Sequence, residues 1–75
     1  MERYKNLGGD SNVVAYEIGN DYIKVKFADG CIYLYNYFST KSQNIEEMKK
    51  LARIGEGLNE FINRYVKKQY ASKML

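Results

Sequence analysis

The chain has 75 residues, of which 45% are hydrophobic and 28% are charged, and its formal net charge is +3. This length allows one domain with a small core and leaves little room for a buried catalytic cavity, while the composition excludes the low-hydrophobicity pattern of a disordered protein. No apolar run is long enough to cross a bilayer and the first residues lack a hydrophobic signal segment, so we expect a folded cytoplasmic protein that does not enter a membrane.

The N-terminal half is typical of a β-meander. Residues 1–11 are polar and include Gly8 and Gly9, which predicts a flexible N-terminal arm ahead of a single domain over residues 12–70. Three short runs rich in β-branched and aromatic residues follow, and turn residues separate them. The runs cover residues 13–18, 22–28 and 31–38. This pattern predicts three antiparallel strands joined by tight hairpins.

After residue 40 the hydrophobic period changes from two to 3.6, which is typical of amphipathic helices. A first helix is expected between Asn44, a candidate N-cap, and Gly55, a candidate stop. A second helix is expected from Glu56 or Gly57 to about Tyr70, followed by a tail over residues 71–75. Its apolar stripe holds Leu58, Phe61, Ile62, Tyr65 and Val66. Two such helices can cover one face of a three-stranded sheet, so the sequence predicts an α+β fold, β-β-β-α-α, with both helices on one face.

The orientation of the third strand depends on the length of the turn before it. The second strand directs Ile23, Val25 and Phe27 to the helices and Tyr22, Lys24 and Lys26 to the open face. A two-residue turn at Asp29 and Gly30 would place Tyr33, Tyr35 and Tyr37 on the open face as well. A three-residue turn with Gly30 in the left-handed conformation would place these tyrosines in the core. The strand residues leave both registers open.

Several short motifs, in their order and spacing, resemble the KTSC family, which is named for a C-terminal extension of some lysyl-tRNA synthetases. They are Tyr16, Ile23-x-Val25-x-Phe27, Gly30, Tyr33-x-Tyr35, Gly55-x-x-Leu58-Asn59-x-x-Ile62 and Tyr65. The resemblance covers about residues 13–70. The chain departs from the family at Leu58, where phenylalanine is usual, and it lacks the Val-Pro that commonly follows the tyrosine strand.

The resemblance implies a small bacterial protein whose activity is not assigned and for which RNA binding is a hypothesis. It also bears on the turn, because relatives often carry a charged residue between the two tyrosines. A charged residue prefers solvent, so the resemblance favours a register in which Tyr33 and Tyr35 face the core and Leu34 lies on the open face.

The sequence offers no catalytic constellation. It has no histidine and a single cysteine, Cys31, which excludes His-containing nucleophile pairs and thiolate zinc sites. The Gly55-Glu56-Gly57 segment lacks the third glycine and the preceding strand of a dinucleotide fingerprint. We therefore expect a non-enzymatic protein with no cofactor and no metal.

Two groups of residues meet the needs of nucleic-acid binding, which are cations for phosphates and aromatic rings for bases. The sheet candidates are Tyr22, Lys24, Lys26, Tyr33 and Tyr35. The helix candidates are Arg64, Lys67 and Lys68, whose spacing would place them on one exposed helix face. Residues 61–75 carry no acid, whereas residues 1–60 have a net charge of −1.

These groups predict a small RNA-contacting module with a role near translation or tRNA. The alternative is a protein-interaction module that docks on another chain, or on a second copy, through the uncovered sheet face or an edge strand. Each of these cations also has a purely structural explanation that needs no ligand. Lysines on the solvent face of a sheet discourage aggregation, and cations near a helix C-terminus stabilise the helix.

Overall fold

The computed structural model describes residues 1–74 and contains a five-stranded antiparallel sheet in which the strands lie in chain order. The strands are β1 (Glu2–Arg3), β2 (Val13–Ile18), β3 (Tyr22–Phe27), β4 (Ile32–Asn36) and β5 (Ser72–Met74). Between β4 and β5 lie α1 (Ser42–Ile54) and α2 (Leu58–Phe61), and α2 continues directly into a π-helical segment, Ile62–Val66. The α+β class and the central meander agree with the sequence prediction, whereas β1 and β5 add one strand to each edge.

Each terminal segment contributes one short strand to the sheet, where the sequence predicts a flexible arm over residues 1–11 and a tail over residues 71–75. Strand β1 pairs with β2, and the adjacent Tyr4 is buried in the core. The backbone N–H of Leu58 donates a hydrogen bond to the Tyr4 hydroxyl at 3.2 Å. Leu75, the last residue of the predicted tail, lies outside the described residues. The terminal strands have two and three residues, which is too short for an alternating pattern to be visible in the sequence.

The turn between β3 and β4 has three residues, Ala28 to Gly30. The backbone N–H of Phe27 donates to the carbonyl of Cys31 at 2.9 Å, and Gly30 has a φ of 92°. This left-handed conformation is accessible to glycine without a steric penalty. The turn is therefore the longer of the two that the sequence left open.

The longer turn directs two of the strand tyrosines towards the helices. Val25 pairs with Tyr33, and Ile23 pairs with Tyr35. Residues directly opposite each other in a sheet share a face, so Tyr33 and Tyr35 lie on the core side. Leu34, which pairs with Lys24, lies on the open face. Tyr37 follows the end of the strand and is 40% exposed.

The core lies between one face of the sheet and both helices. Its sheet residues include Ile23, Val25 and Tyr35, and its helix residues are Ile45, Met48, Ala52, Leu58, Ile62 and Val66. Burial of each large apolar side chain contributes about 1.5–3 kcal/mol. Since the helical residues of this core all pack on the side of Tyr35, the face that carries Lys24 and Leu34 is left without a helical cover.

Helix α1 begins earlier than the sequence predicts and ends where it predicts. The expected N-cap, Asn44, lies inside the helix, where its side chain donates to the Thr40 hydroxyl at 2.9 Å. At the other end, Gly55 has a φ of 87° and its N–H donates to the carbonyl of Leu51 at 2.8 Å. This is the left-handed cap that is typical of a glycine after a helix.

The second helical segment ends at Val66, which corrects the prediction of a helix to about Tyr70. Its last turn is π-helical, since the N–H of Lys67 donates to the carbonyl of Ile62, five residues earlier, at 2.6 Å. The wider turn changes the direction of the side chains relative to an α-helix. Tyr65, which the sequence places in the apolar stripe, is consequently 56% exposed and packs on Phe61 at the surface.

Candidate nucleic-acid interface

The residues that the sequence predicts to contact nucleic acid fall on three separate surfaces of the structure. Tyr22, Lys24 and Lys26 lie on the open sheet face, as expected. Tyr33, Tyr35, Lys67 and Lys68 line one groove on the helix side. Arg64 lies on a third surface, beside Glu60, Phe61 and Tyr65. The sheet candidates and the helix candidates therefore do not form the two groups that the sequence predicts.

Glu17 accompanies the cations of the open sheet face. Its carboxylate lies 3.8 Å from the Lys24 ammonium and accepts a hydrogen bond from the Tyr22 hydroxyl at 2.9 Å. This hydrogen bond raises the pKa of Tyr22. Because a carboxylate lies between these groups, it weakens the attraction of Lys24 for a phosphate.

Arg64 does not share a face with Lys67 and Lys68, which corrects the prediction from their spacing. Its guanidinium lies 3.8 Å from the Glu60 carboxylate, one helical turn earlier. The spacing rule holds for an α-helix, but here the chain passes through the π-helical segment and leaves the helix at Lys67. The two lysines are thereby directed to the groove and Arg64 away from it.

The groove has a volume of about 570 Å³, and we call it the tyrosine groove. One wall comes from the β3–β4 hairpin and carries Phe27, Tyr33 and Tyr35. The other wall comes from α2, the π-helical segment and the residues after it. The volume of the tyrosine groove is in the range of sites that bind small molecules or single groups of a polymer. The groove opens beside the point where the helical segment ends.

The aromatic side chains of the groove hold one another in position. The ring of Tyr33 packs edge-to-face against Phe27, with 5.3 Å between centroids, and against Tyr70, with 4.9 Å. Tyr35 meets Tyr70 at 6.4 Å and an interplanar angle of 90°. Such pairs contribute about 0.5–1.5 kcal/mol each beyond the area that they bury. The wall is therefore formed before any ligand arrives.

Tyr35 contributes a hydroxyl to this wall rather than a stacking surface. The residue is 1% exposed, so its ring faces are covered by protein. Within residues 1–74 the Tyr35 hydroxyl has no hydrogen-bond partner. Every fully buried side-chain polar atom of these residues has one, so the Tyr35 hydroxyl is not fully buried and reaches the solvent of the groove. Burial raises the pKa of Tyr35, which keeps the phenol neutral and able to donate at neutral pH.

Polar side chains form the opposite wall. Asn59 and Asn63 project from the helical residues, and Lys67 and Lys68 follow where the helix ends. Asp29 is an acidic residue of the lining, and its carboxylate accepts a hydrogen bond from the backbone N–H of Cys31 at 3.0 Å. The two ammonium groups outnumber this carboxylate, so the groove attracts anions.

A third cation lies next to the groove on β5. The Lys73 ammonium is 5.5 Å from the centroid of the Tyr33 ring. Hydrogen bonding to Tyr33 raises the pKa of Lys73, so its charge is retained at neutral pH. Lys73 belongs to the C-terminal stretch without acidic residues, but the sequence gives no reason to place it beside Tyr33 because it does not predict β5.

Sequence reasoning did not select several of the groove residues. Asn59 belongs to the Leu58-Asn59 motif of the family resemblance, so a signal for it was present. Phe27 also belongs to a motif of the resemblance, but the strand pattern predicts it only as a core residue, and the helical pattern predicts Tyr70 as the end of a helix. Nothing in the sequence marks Asn63 as a groove residue except its position four residues after Asn59. That spacing is informative only once the helix is known to face the groove.

Two further properties concern residues 1–74 as a whole. Within them no three His, Cys, Asp or Glu side chains gather as a metal site would require. No helix in this part of the chain combines the length and the apolar character that a membrane span needs.

No protein-family model matches the chain, and searches of curated proteins and of solved structures find no significant match to it.

Proposed function

We propose that this protein is a small non-enzymatic module that binds single-stranded RNA in the tyrosine groove. The observation that carries the proposal is the meeting of Lys67 and Lys68 with a preformed aromatic wall in one groove. Cations that bind phosphates, next to aromatic and amide groups that contact an unstacked base, are what single-stranded RNA recognition requires.

The groove favours an unpaired nucleotide over a duplex. Its aromatic wall is recessed, because Tyr35 is buried and Tyr33 and Tyr70 are half-buried. A base held in a duplex presents only its edges in the helix grooves, whereas a nucleotide in a single strand can turn its whole base into a recess. The phosphates of that strand would then pass Lys67 and Lys68 at the end of the helical segment.

We also propose that the chain is a member of the KTSC family. The support is that five residues of the motifs behind the resemblance line the tyrosine groove, namely Phe27, Tyr33, Tyr35, Asn59 and Ile62. They come from the hairpin of β3 and β4 and from the second helical segment, which are far apart in the chain. A set of motif residues that meets at one groove is what a shared binding site would produce.

Fluorescence anisotropy with a labelled single-stranded RNA of about 12 nucleotides tests the proposal, at salt concentrations from about 50 to 200 mM. We expect a dissociation constant on the order of 10⁻⁴ to 10⁻⁶ M near physiological salt. The double variant Lys67→Gln/Lys68→Gln should bind about ten- to a hundredfold more weakly and reduce the salt slope by about 1.4, if each lysine meets one phosphate.

Two control variants remove charge elsewhere. Arg64→Gln removes a cation from the same helical segment but outside the groove, and Lys24→Gln/Lys26→Gln removes two from the open sheet face. Both controls should bind within about twofold of the unmodified protein, because neither changes the groove. Absence of salt-dependent binding, or equal losses in the groove variant and the sheet variant, would contradict the proposal.

A second candidate function is self-association through the open sheet face. The observation in its favour is a group of apolar side chains on the face without a helical cover, where Ile32 pairs with Met74 and Leu34 lies two residues further along β4. Sedimentation velocity separates this candidate from the first. A dimer that dissociates in Leu34→Lys, together with no RNA binding, would favour it over the proposed function.

A further inference from the structure

The polar wall of the tyrosine groove is a row of side chains at regular spacing. Asn59, Asn63 and Lys67 are each four residues apart, and all three line the groove. In a regular α-helix, successive steps of four residues drift around the axis. The π-helical segment has more residues per turn and reduces this drift, which keeps the row on one side. The row therefore places two amides before the cations.

The two amides of this row are available to a ligand. Three asparagines outside the groove use their side chains locally: Asn36 accepts from the backbone N–H of Phe38 at 2.9 Å, Asn6 accepts from that of Ser11 at 3.1 Å, and Asn44 donates to the Thr40 hydroxyl at 2.9 Å. No side-chain hydrogen bond of Asn59 or Asn63 is found within residues 1–74. Two amide groups without local partners, directed into an aromatic-walled groove, are free to form hydrogen bonds with a base.

The chemistry of an amide favours one base. A carboxamide presents a donor and an acceptor side by side. On the Hoogsteen edge of an unpaired base only adenine presents the matching pair, with its N6 amino group as the donor and N7 as the acceptor. On the opposite wall the rings of Phe27 and Tyr33 offer apolar contact to the base. The cations that follow the amides along the row would meet the adjoining phosphate.

We infer that the tyrosine groove reads a single unpaired adenine in RNA, with Asn59 and Asn63 binding the edge of the base and Lys67 and Lys68 binding its phosphates. This inference rests on the proposed function and adds base specificity to it. Asn59 and Asn63 are thus specificity-determining residues, whereas the lysines bind every sequence alike.

The test compares labelled oligouridine RNAs of about 12 nucleotides that differ only at one central position, which is adenine, guanine, cytosine or uracil. We expect the RNA with adenine to bind about five- to a hundredfold more tightly than the uniform oligouridine. Asn59→Ala and Asn63→Ala should each reduce this ratio and leave the salt slope unchanged, since the phosphate contacts remain. Asn20→Ala removes an exposed asparagine amide between β2 and β3, outside the groove, and should keep the ratio.

The outcomes separate this inference from the proposed function. Salt-dependent binding that is lost in Lys67→Gln/Lys68→Gln but is equal for all four bases would overturn the inference and leave the proposed function standing. A preference for adenine that survives both asparagine variants would overturn the assignment of Asn59 and Asn63. Circular dichroism of each variant confirms that a lost preference is not caused by unfolding, and Asn63, which is exposed, is the substitution least able to disturb the fold.

Discussion

Replacing Tyr35 with alanine should destabilise the protein more than any other single change in β4. Tyr35 is 1% exposed, pairs with Ile23 and packs against the ring of Tyr70. Removing a buried aromatic ring costs about 3–5 kcal/mol, because the lost contacts and the cavity add together. A chain of this length has a free energy of unfolding of about 4–11 kcal/mol. Tyr35→Ala should therefore remove a large part of the stability and lower the melting temperature by about 12–40 °C.

Two companion variants isolate the cause of the loss. Tyr37→Ala removes the same ring from a residue that is 40% exposed, together with the 2.7 Å hydrogen bond that its hydroxyl donates to Glu46, so it should cost about 1–2 kcal/mol, well below the loss in Tyr35→Ala. Tyr35→Phe keeps the buried ring and removes only the hydroxyl that reaches the groove, so it should cost less than about 1 kcal/mol.

Urea denaturation followed by circular dichroism measures all three variants. Equal losses of unfolding free energy in Tyr35→Ala and Tyr37→Ala would refute the three-residue turn between β3 and β4. A loss in Tyr35→Phe as large as that in Tyr35→Ala would instead show that the hydroxyl, and not the ring, holds the core together.

Three further changes test other parts of the fold. Lys49 is 5% exposed, and its ammonium donates to the carbonyl of Asn20 at 2.7 Å and to the carboxylate of Glu46 at 2.9 Å. Lys49→Met removes both bonds and should lower the unfolding free energy by about 1–3 kcal/mol in urea denaturation, whereas the exposed Lys50→Met should leave it unchanged. A Cβ on Gly55 would lie 2.5 Å from the Lys5 Cβ, and one on Gly30 would meet nothing within 4 Å. Both glycines have a positive φ, so in thermal melts Gly30→Ala should lower the unfolding free energy by about 1–2 kcal/mol, and Gly55→Ala should lower it further because of the contact with Lys5. Burial raises the pKa of Tyr35 above its ordinary value of 10.0, so the native protein holds this proton more tightly than the unfolded chain. The stability that this provides is complete below about pH 10 and is lost as the pH rises further, and Tyr35→Phe should show a smaller fall in unfolding free energy between about pH 9 and 11.

The α+β class and the central strands could be predicted because their signals are long. Strand β3 alternates over six residues, and α1 keeps its apolar stripe over 13. The orientation of Tyr33 and Tyr35 was open because one residue of turn length inverts a strand, and Asp29-Gly30 is compatible with either turn. Strands β1 and β5 escaped prediction because their pairing with β2 and β4 depends on contacts between distant parts of the chain.

The candidate site was harder to predict than the fold. Lys67 and Lys68 were identified from charge, but their direction depends on the π-helical segment, for which the sequence carries no reliable pattern. An α-helical projection therefore grouped Arg64 with them. Tyr70 was assigned to a helix, whereas it packs on Tyr33 after the helix has ended. The residues of the tyrosine groove were thus largely visible as residue types, but their meeting in one groove was not.

The most direct test of RNA binding in the tyrosine groove is a map of the perturbed residues in the folded protein. In ¹H–¹⁵N correlation spectra of the labelled protein, titration with a single-stranded RNA of about 12 nucleotides should shift the backbone signals of Tyr33, Asn63, Lys67 and Lys68. The side-chain amide signals of Asn59 and Asn63 should shift with them, while Lys24, Lys26 and Leu34 on the open face stay in place. Shifts confined to the open face, or no shifts at low salt, would contradict the proposal that the groove binds RNA.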